Sequence, residues 1–141
     1  MTTTQTATPT HPIRDATLAE FAAGLRGTAV LPGDADYDQA RSIWNGAHDR
    51  YPALIAQCAG VADVIRTVDL ARSEGLPIAI RGGGHSIPGF STLDAGILLD
   101  LSAMTGIAVH PDDRTVSAQA GCTWKDLDAE TQQFGLAVTG G

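Results

Sequence analysis

The sequence predicts an α+β domain in which a parallel βαβ unit gives way to antiparallel strands and a closing helix. Three observations carry that expectation. Residues 53–82 run apolar segment, helical pattern, apolar segment, which implies two parallel strands joined by a right-handed crossover. Then "GIAVH" and "RTVSAQAG" flank the turn residues "PDD", so the chain enters a β meander or hairpin where a doubly wound sheet would continue to another helix. Last, "TWKDLDAETQQFG" pairs Thr123 with Asp126 at helix-start spacing and stops at Gly135, a bounded helix.

In chain order, residues 1–14 are Thr-rich and are expected as a disordered tail, with residues 15–50 a helical lead-in. "TLAEFAAGL" has Thr17 and Glu20 at capping-box spacing and puts Leu18, Phe21, Ala22 and Leu25 on one helical face. "LPGDADYDQARSIWN" turns at Pro32-Gly33, and a second short helix is expected to carry Tyr37, Ile43 and Trp44 towards a core. "ALIAQCA" is strand-like, and the helix after it sets Val61, Val64, Ile65 and Val68 at i, i+3, i+4, i+7, with Gly75 as its C-terminal cap. "LPIAIRG" is expected as a second, buried strand, and "GILLDLS" as the strand before the meander. The last helix aligns Trp124, Leu127, Thr131 and Phe134, with Trp124 and Phe134 expected in the core, and "LAVTGG" begins another strand and turn. A final strand without its partner would leave an unpaired edge, so the chain is expected to be truncated at its C-terminal end.

Length and composition bound the function. At 141 residues with 43% hydrophobic and 18% charged, the chain can form one modest core. A net charge of -7 with no basic run argues against nucleic acid as a partner. Cys58 and Cys122 have no metal-ligand or disulfide-framework spacing, and no stretch has the pattern of an export signal or a membrane span. A soluble, cytoplasmic protein is expected. His11, His48 and His110 have ordinary tail, loop and turn settings, and Asp112-Asp113 is turn chemistry rather than an acid-base pair.

One stretch points to a ligand. In "AIRGGGHSIPGFS", Gly82, Gly83 and Gly84 follow a strand at its carboxyl end, where α/β proteins place ligand loops. Without Cβ atoms they can take positive φ and turn several N–H groups towards one anion. A flexible turn is the alternative. The spacing fits neither GxxxxGK[ST] nor a GxGxxG that opens a long helix, and His85 alone could be structural.

Taken together in order, "IRGGGHS", "GILLDLSAM", "VSAQAGCTWKDLD" and "FGLAVTGG" resemble the FAD-binding domain of the vanillyl-alcohol oxidase and para-cresol methylhydroxylase (VAO/PCMH) family. Its berberine-bridge-enzyme-like and 6-hydroxynicotine-oxidase-like branch is the nearest in pattern, over residues 30 to 141. The resemblance implies that residues 51–141 are the N-terminal part of a PCMH-type FAD-binding domain. It further implies that Arg81, Gly82, Gly83, Gly84, His85 and Ser86, with Gly89 in the same turn, wrap the FAD pyrophosphate. His85 matches the histidine that many members bond to the flavin 8α carbon. Thr139, Gly140 and Gly141 match the start of a second flavin-contacting loop, whose continuation in some relatives holds a cysteine that neither Cys58 nor Cys122 matches. The activity implied is oxidation of an activated C–H of a small molecule by hydride transfer to flavin, with dioxygen as the usual reoxidant. The substrate-binding region and the acid-base residues would lie outside this chain. Two other readings stay open: a non-catalytic FAD-binding fragment, and a βαβ phosphate-ester-binding domain unrelated to flavin.

Overall fold

The computed structural model describes residues 12–139. In chain order the elements are α1 (Asp15–Gly24), β1 (Thr28–Val30), α2 (Tyr37–Arg41), β2 (Leu54–Gln57), α3 (Val61–Glu74), β3 (Ile78–Arg81), β4 (Ile97–Asp100), β5 (Ile107–His110), β6 (Thr115–Ala118) and α4 (Trp124–Thr131), which tightens into a 3₁₀ turn at Gln132–Phe134. The main sheet has the order β1-β2-β4-β3, and β5-β6 form a separate hairpin. Thus the α+β class holds.

The centre of the sheet is β4. All four residues of "ILLD" are buried, as expected of a parallel strand covered on both faces. It pairs in parallel with β2, Leu54 opposite Ile97, and with β3, Ile78 opposite Ile97. Alternate residues then face opposite sides. Leu54, Ala56, Ile97 and Leu99 pack on one side with Leu18 and Phe21 of α1 and Leu70 and Ala71 of α3, while Ile55, Leu98 and Ala79 pack on the other with Tyr37 and Ala40 of α2.

Several expectations change. The two strands of the βαβ unit are parallel as expected, with β4 inserted between them; "GILLDLS", expected as the strand before the meander, is thus the middle of the parallel sheet. β3 is an edge strand, and its Ile80 is exposed. The lead-in contains β1, an antiparallel edge on β2, and Ile13, inside the expected tail, is 1% exposed in the core. Residues 1–11 of that tail lie outside the described residues. α1 begins two residues before Thr17, after Arg14, without a side-chain cap. Leu136–Thr139 form no strand, since the β5-β6 hairpin pairs only with itself among the described residues. Among the described residues no helix is long and apolar enough to cross a membrane.

The face of α3 is also rotated from the one its apolar spacing suggests. Val61 and Ile65 are 64% and 57% exposed, and Asp63, Thr67, Leu70 and Ala71 point inward. Asp63 explains the rotation. Its carboxylate accepts the backbone N–H groups of Arg26 (2.9 Å), Gly27 (3.0 Å) and Ala59 (2.9 Å), joining α3 to the two loops beside it. Burial pushes this carboxyl up, but the three N–H donors and the Arg26 charge outweigh burial and hold it below the usual carboxylate range.

The hairpin and α4 meet the main sheet through two glycines. A Cβ on Gly82 would lie 2.4 Å from the Ala120 carbonyl oxygen, and one on Gly121 would lie 2.2, 2.7 and 2.8 Å from those of Leu101, Ser102 and Met104. No side chain fits at either position.

Candidate functional site

β3 and β4 end side by side, and a buried ion pair sets how the chain leaves them. Arg81 Nη2 donates to Asp100 Oδ2 at 2.6 Å and Nη1 to the Ser42 carbonyl at 3.0 Å, while Asp100 Oδ1 accepts the Ser102 N–H at 3.0 Å. The Arg81 guanidinium is therefore turned into the fold. It can position the loop that follows, and the donors left for a ligand are those of the loop backbone.

Those donors are available. Among the described residues, nothing accepts a hydrogen bond from the backbone N–H of Gly83, Gly84, His85 or Ser86. Gly84 has a φ of +71°, the left-handed region that glycine takes without strain; its carbonyl accepts the Trp44 N–H at 3.3 Å. Gly83 has no positive φ, and a Cβ there would meet only the His85 ring edge at 3.2 Å. Successive unpaired N–H groups at the end of a parallel strand are the backbone form of an anion site.

Beyond His85 the chain turns tightly. The Ser86 carbonyl accepts the Gly89 N–H at 3.1 Å and its Oγ accepts the Phe90 N–H at 3.0 Å. Gly89, at φ +76°, lies under the His48 ring, where a Cβ would come within 2.6 Å of it. His48 Nε2 and Asn45 Nδ2 both reach the Ile87 carbonyl, at 3.0 and 3.1 Å. His48, expected as an ordinary loop residue, is thus built into the turn.

His85 is exposed, and its ring nitrogens have no hydrogen-bond partner among the described residues. Its imidazole is stacked on the Trp44 indole, ring centroids 5.3 Å apart with 25° between the planes. Trp44, expected in the core, is 80% exposed, because α2 ends at Arg41 and the chain beyond it lies over the loop. His85 also lines a cavity of about 620 Å³ with Gly83, Ala120, Cys122, Thr123 and Trp124. α4 brings Trp124 there through the expected cap: the Thr123 N–H and hydroxyl both donate to Asp126 Oδ2, at 2.8 and 2.7 Å, which holds the Asp126 carboxyl below its ordinary range. Trp124 and Phe134, expected in the core, are both half-exposed, and Thr131 is the residue of α4 that is buried.

The structure therefore brings together Gly82–Ser86 and Gly89. Thr139 is exposed and has no hydrogen bond to this loop, and Gly140 and Gly141 lie outside the described residues. Cys58 is buried and burial pushes its thiol up, the condition of an inert cysteine. Periodicity could not show Trp44, Asn45 or His48 at the loop. Nor could it show Ser91 and Thr92 after the turn, whose buried hydroxyls find no partner among the described residues.

Comparisons with known proteins bear on the family and the fold. The family model for an FAD binding domain matches residues 52–140. (R)-6-hydroxynicotine oxidase of Paenarthrobacter nicotinovorans is 37% identical over 117 residues, which are 83% of this chain and 26% of that protein. An FAD-linked oxidoreductase of Bacillus subtilis (strain 168) is 35% identical, again over 83% of this chain and 26% of its own length. The crystal structure of 6-hydroxy-D-nicotine oxidase from Arthrobacter nicotinovorans is similar with a TM-score of 0.78 and 38% identity, across 82% of this chain and 26% of that one. The carbohydrate oxidase from Microdochium nivale shares the fold, with a TM-score of 0.76 at 22% identity, across 88% of this chain and 27% of its own. The chain spans about a quarter of the length of the relatives it matches.

Proposed function

The chain belongs to the FAD-binding domain family of the VAO/PCMH type, FAD is its cofactor, and from this we propose that it serves an FAD-linked oxidoreductase acting on an activated C–H of a small molecule. The observation that carries the reading is the run of unpaired N–H groups from Gly83 to Ser86 beside the cavity that His85 lines. These amides would hold the cofactor pyrophosphate, and the glycines keep the space next to them free of side chains. When bound, the flavin would supply a hydride acceptor, with dioxygen as its reoxidant under this reading.

The residues of this chain bind and orient. Arg81 and Asp100 fix the start of the loop, the Ser86–Gly89 turn fixes its end, and His85 would hold the flavin through a bond from its imidazole to the 8α carbon; the 8α C–H and the imidazole N–H would each give up a proton, and the two electrons would pass into the flavin, with dioxygen as the final oxidant. That role requires a neutral ring with a free nitrogen, which the hydrogen-bonding of His85 leaves available. Thr139 would begin the second cofactor-contacting loop.

The test is acid-stable flavin. Protein denatured and run on a gel should fluoresce, and His85→Ala should lose the fluorescent band while some releasable FAD remains. Acid-stable flavin in the variant would overturn the role of His85, and wild-type protein that takes up no FAD would overturn the binding site.

A further inference from the structure

We propose that Trp44 is a positioning residue for His85, setting the plane of the imidazole from a strap laid over the cofactor loop. The inference rests on the reading of His85 as the residue that holds flavin.

A functional histidine is commonly oriented by a hydrogen bond from one ring nitrogen to a carbonyl or carboxylate. His85 has none among the described residues; the ring contact it does have is the Trp44 stack. Its separation and tilt fall in the range of favourable offset aromatic pairs. The indole covers one face of the imidazole and leaves both nitrogens free, whereas a hydrogen bond would occupy one of them. That is the arrangement required of a ring that must both keep its orientation and form a bond.

Core packing does not hold Trp44, which is 80% exposed. The strap holds it. Within residues 42–48, the Ser42 carbonyl accepts from Arg81 at 3.0 Å and the Trp44 N–H donates to Gly84 at 3.3 Å. Asn45 and His48 reach the Ile87 carbonyl. The strap is closed at its base by Arg41, which pairs with Asp38 and Asp49 and donates to the Arg50 carbonyl at 3.2 Å. The segment therefore grips the loop before, at and after His85, and its indole stacks on the imidazole.

The experiment compares wild type with Trp44→Ala, Trp44→Leu and Trp44→Phe in two measurements. The first needs no flavin: NMR of the His85 imidazole should show a ring-current displacement that Trp44→Ala and Trp44→Leu abolish and Trp44→Phe largely keeps. The second adds FAD to apoprotein made under riboflavin limitation and follows acid-stable flavin. Attachment should slow about two- to tenfold in the Ala and Leu variants, the scale of one aromatic contact, with reversible FAD binding unchanged and Phe restoring most of the rate. An unchanged His85 spectrum in Trp44→Ala, or an unchanged attachment rate, overturns the role of Trp44. Failure of the His85 reading looks different: the wild type itself would form no acid-stable flavin, while the ring-current result would still decide whether Trp44 orients the ring.

Discussion

At the scale of single residues, the three glycines after β3 have different duties. Gly82 is required by the fold, since any Cβ collides with the Ala120 carbonyl. Gly84 is required by its positive φ. Gly83 is required by neither, so under the proposed function its lack of a side chain would serve the ligand. Gly82→Ala should accordingly destabilise the protein by about 1–3 kcal/mol, the cost of overpacking, seen as a lower denaturation midpoint. Gly83→Val should leave that midpoint within about 1 kcal/mol yet weaken FAD binding at least about tenfold through blocked approach. FAD titration of the folded variant decides the second point; unchanged affinity would mean that the pyrophosphate does not pass Gly83.

At the scale of elements, α3 shows why an apolar period can mislead. Val61 and Ile65 fit the helical spacing but face solvent, because one buried carboxylate binds three N–H groups from two other segments. Asp63→Ala should cost about 3 kcal/mol, since several buried donors lose their acceptor. The pH dependence has a definite sign. The folded pKa of Asp63 is depressed, so its contribution is present above the unfolded value of about 3.9 and is lost as pH falls below that through the folded value. Thermal melts of wild type should therefore drop more steeply below about pH 4 than those of Asp63→Asn. Equal acid sensitivity of the two would assign acid lability to other carboxylates. What the sequence made legible here was local: the extent of α3, the Gly75 cap, the Thr123–Asp126 box and the β5-β6 turn each depend on neighbours a few residues apart. What it hid was long-range. β1 is three residues that become a strand only against β2, β4 is placed by pairing with strands on both sides, and Trp44 meets His85 across 41 positions of chain.

At the scale of the whole molecule, stability is unevenly distributed. β2 and β4 are almost wholly buried, whereas β5 and β6 are largely exposed. Native-state hydrogen exchange should be at least about a hundredfold slower at Ile55–Gln57 and Ile97–Asp100 than across residues 107–118; equal protection would show that the hairpin unfolds only with the sheet. The loop itself was legible in the sequence as glycines ending a strand, while its supports were not, because Ser42, Asn45 and His48 carry no mark of what they touch. The contact between the two units has a further consequence, for inheritance and engineering. Gly82 and Gly121 sit on opposite sides of the gap between strand loop and hairpin, each pressed against main-chain carbonyls contributed by the other side. A chimaera that splices this chain between residues 104 and 119 to a distant relative would have to match both glycines and the backbone path around them. Recombination across that boundary is accordingly restricted to donors that carry the same interlock, and the two units should pass between homologues as a single block.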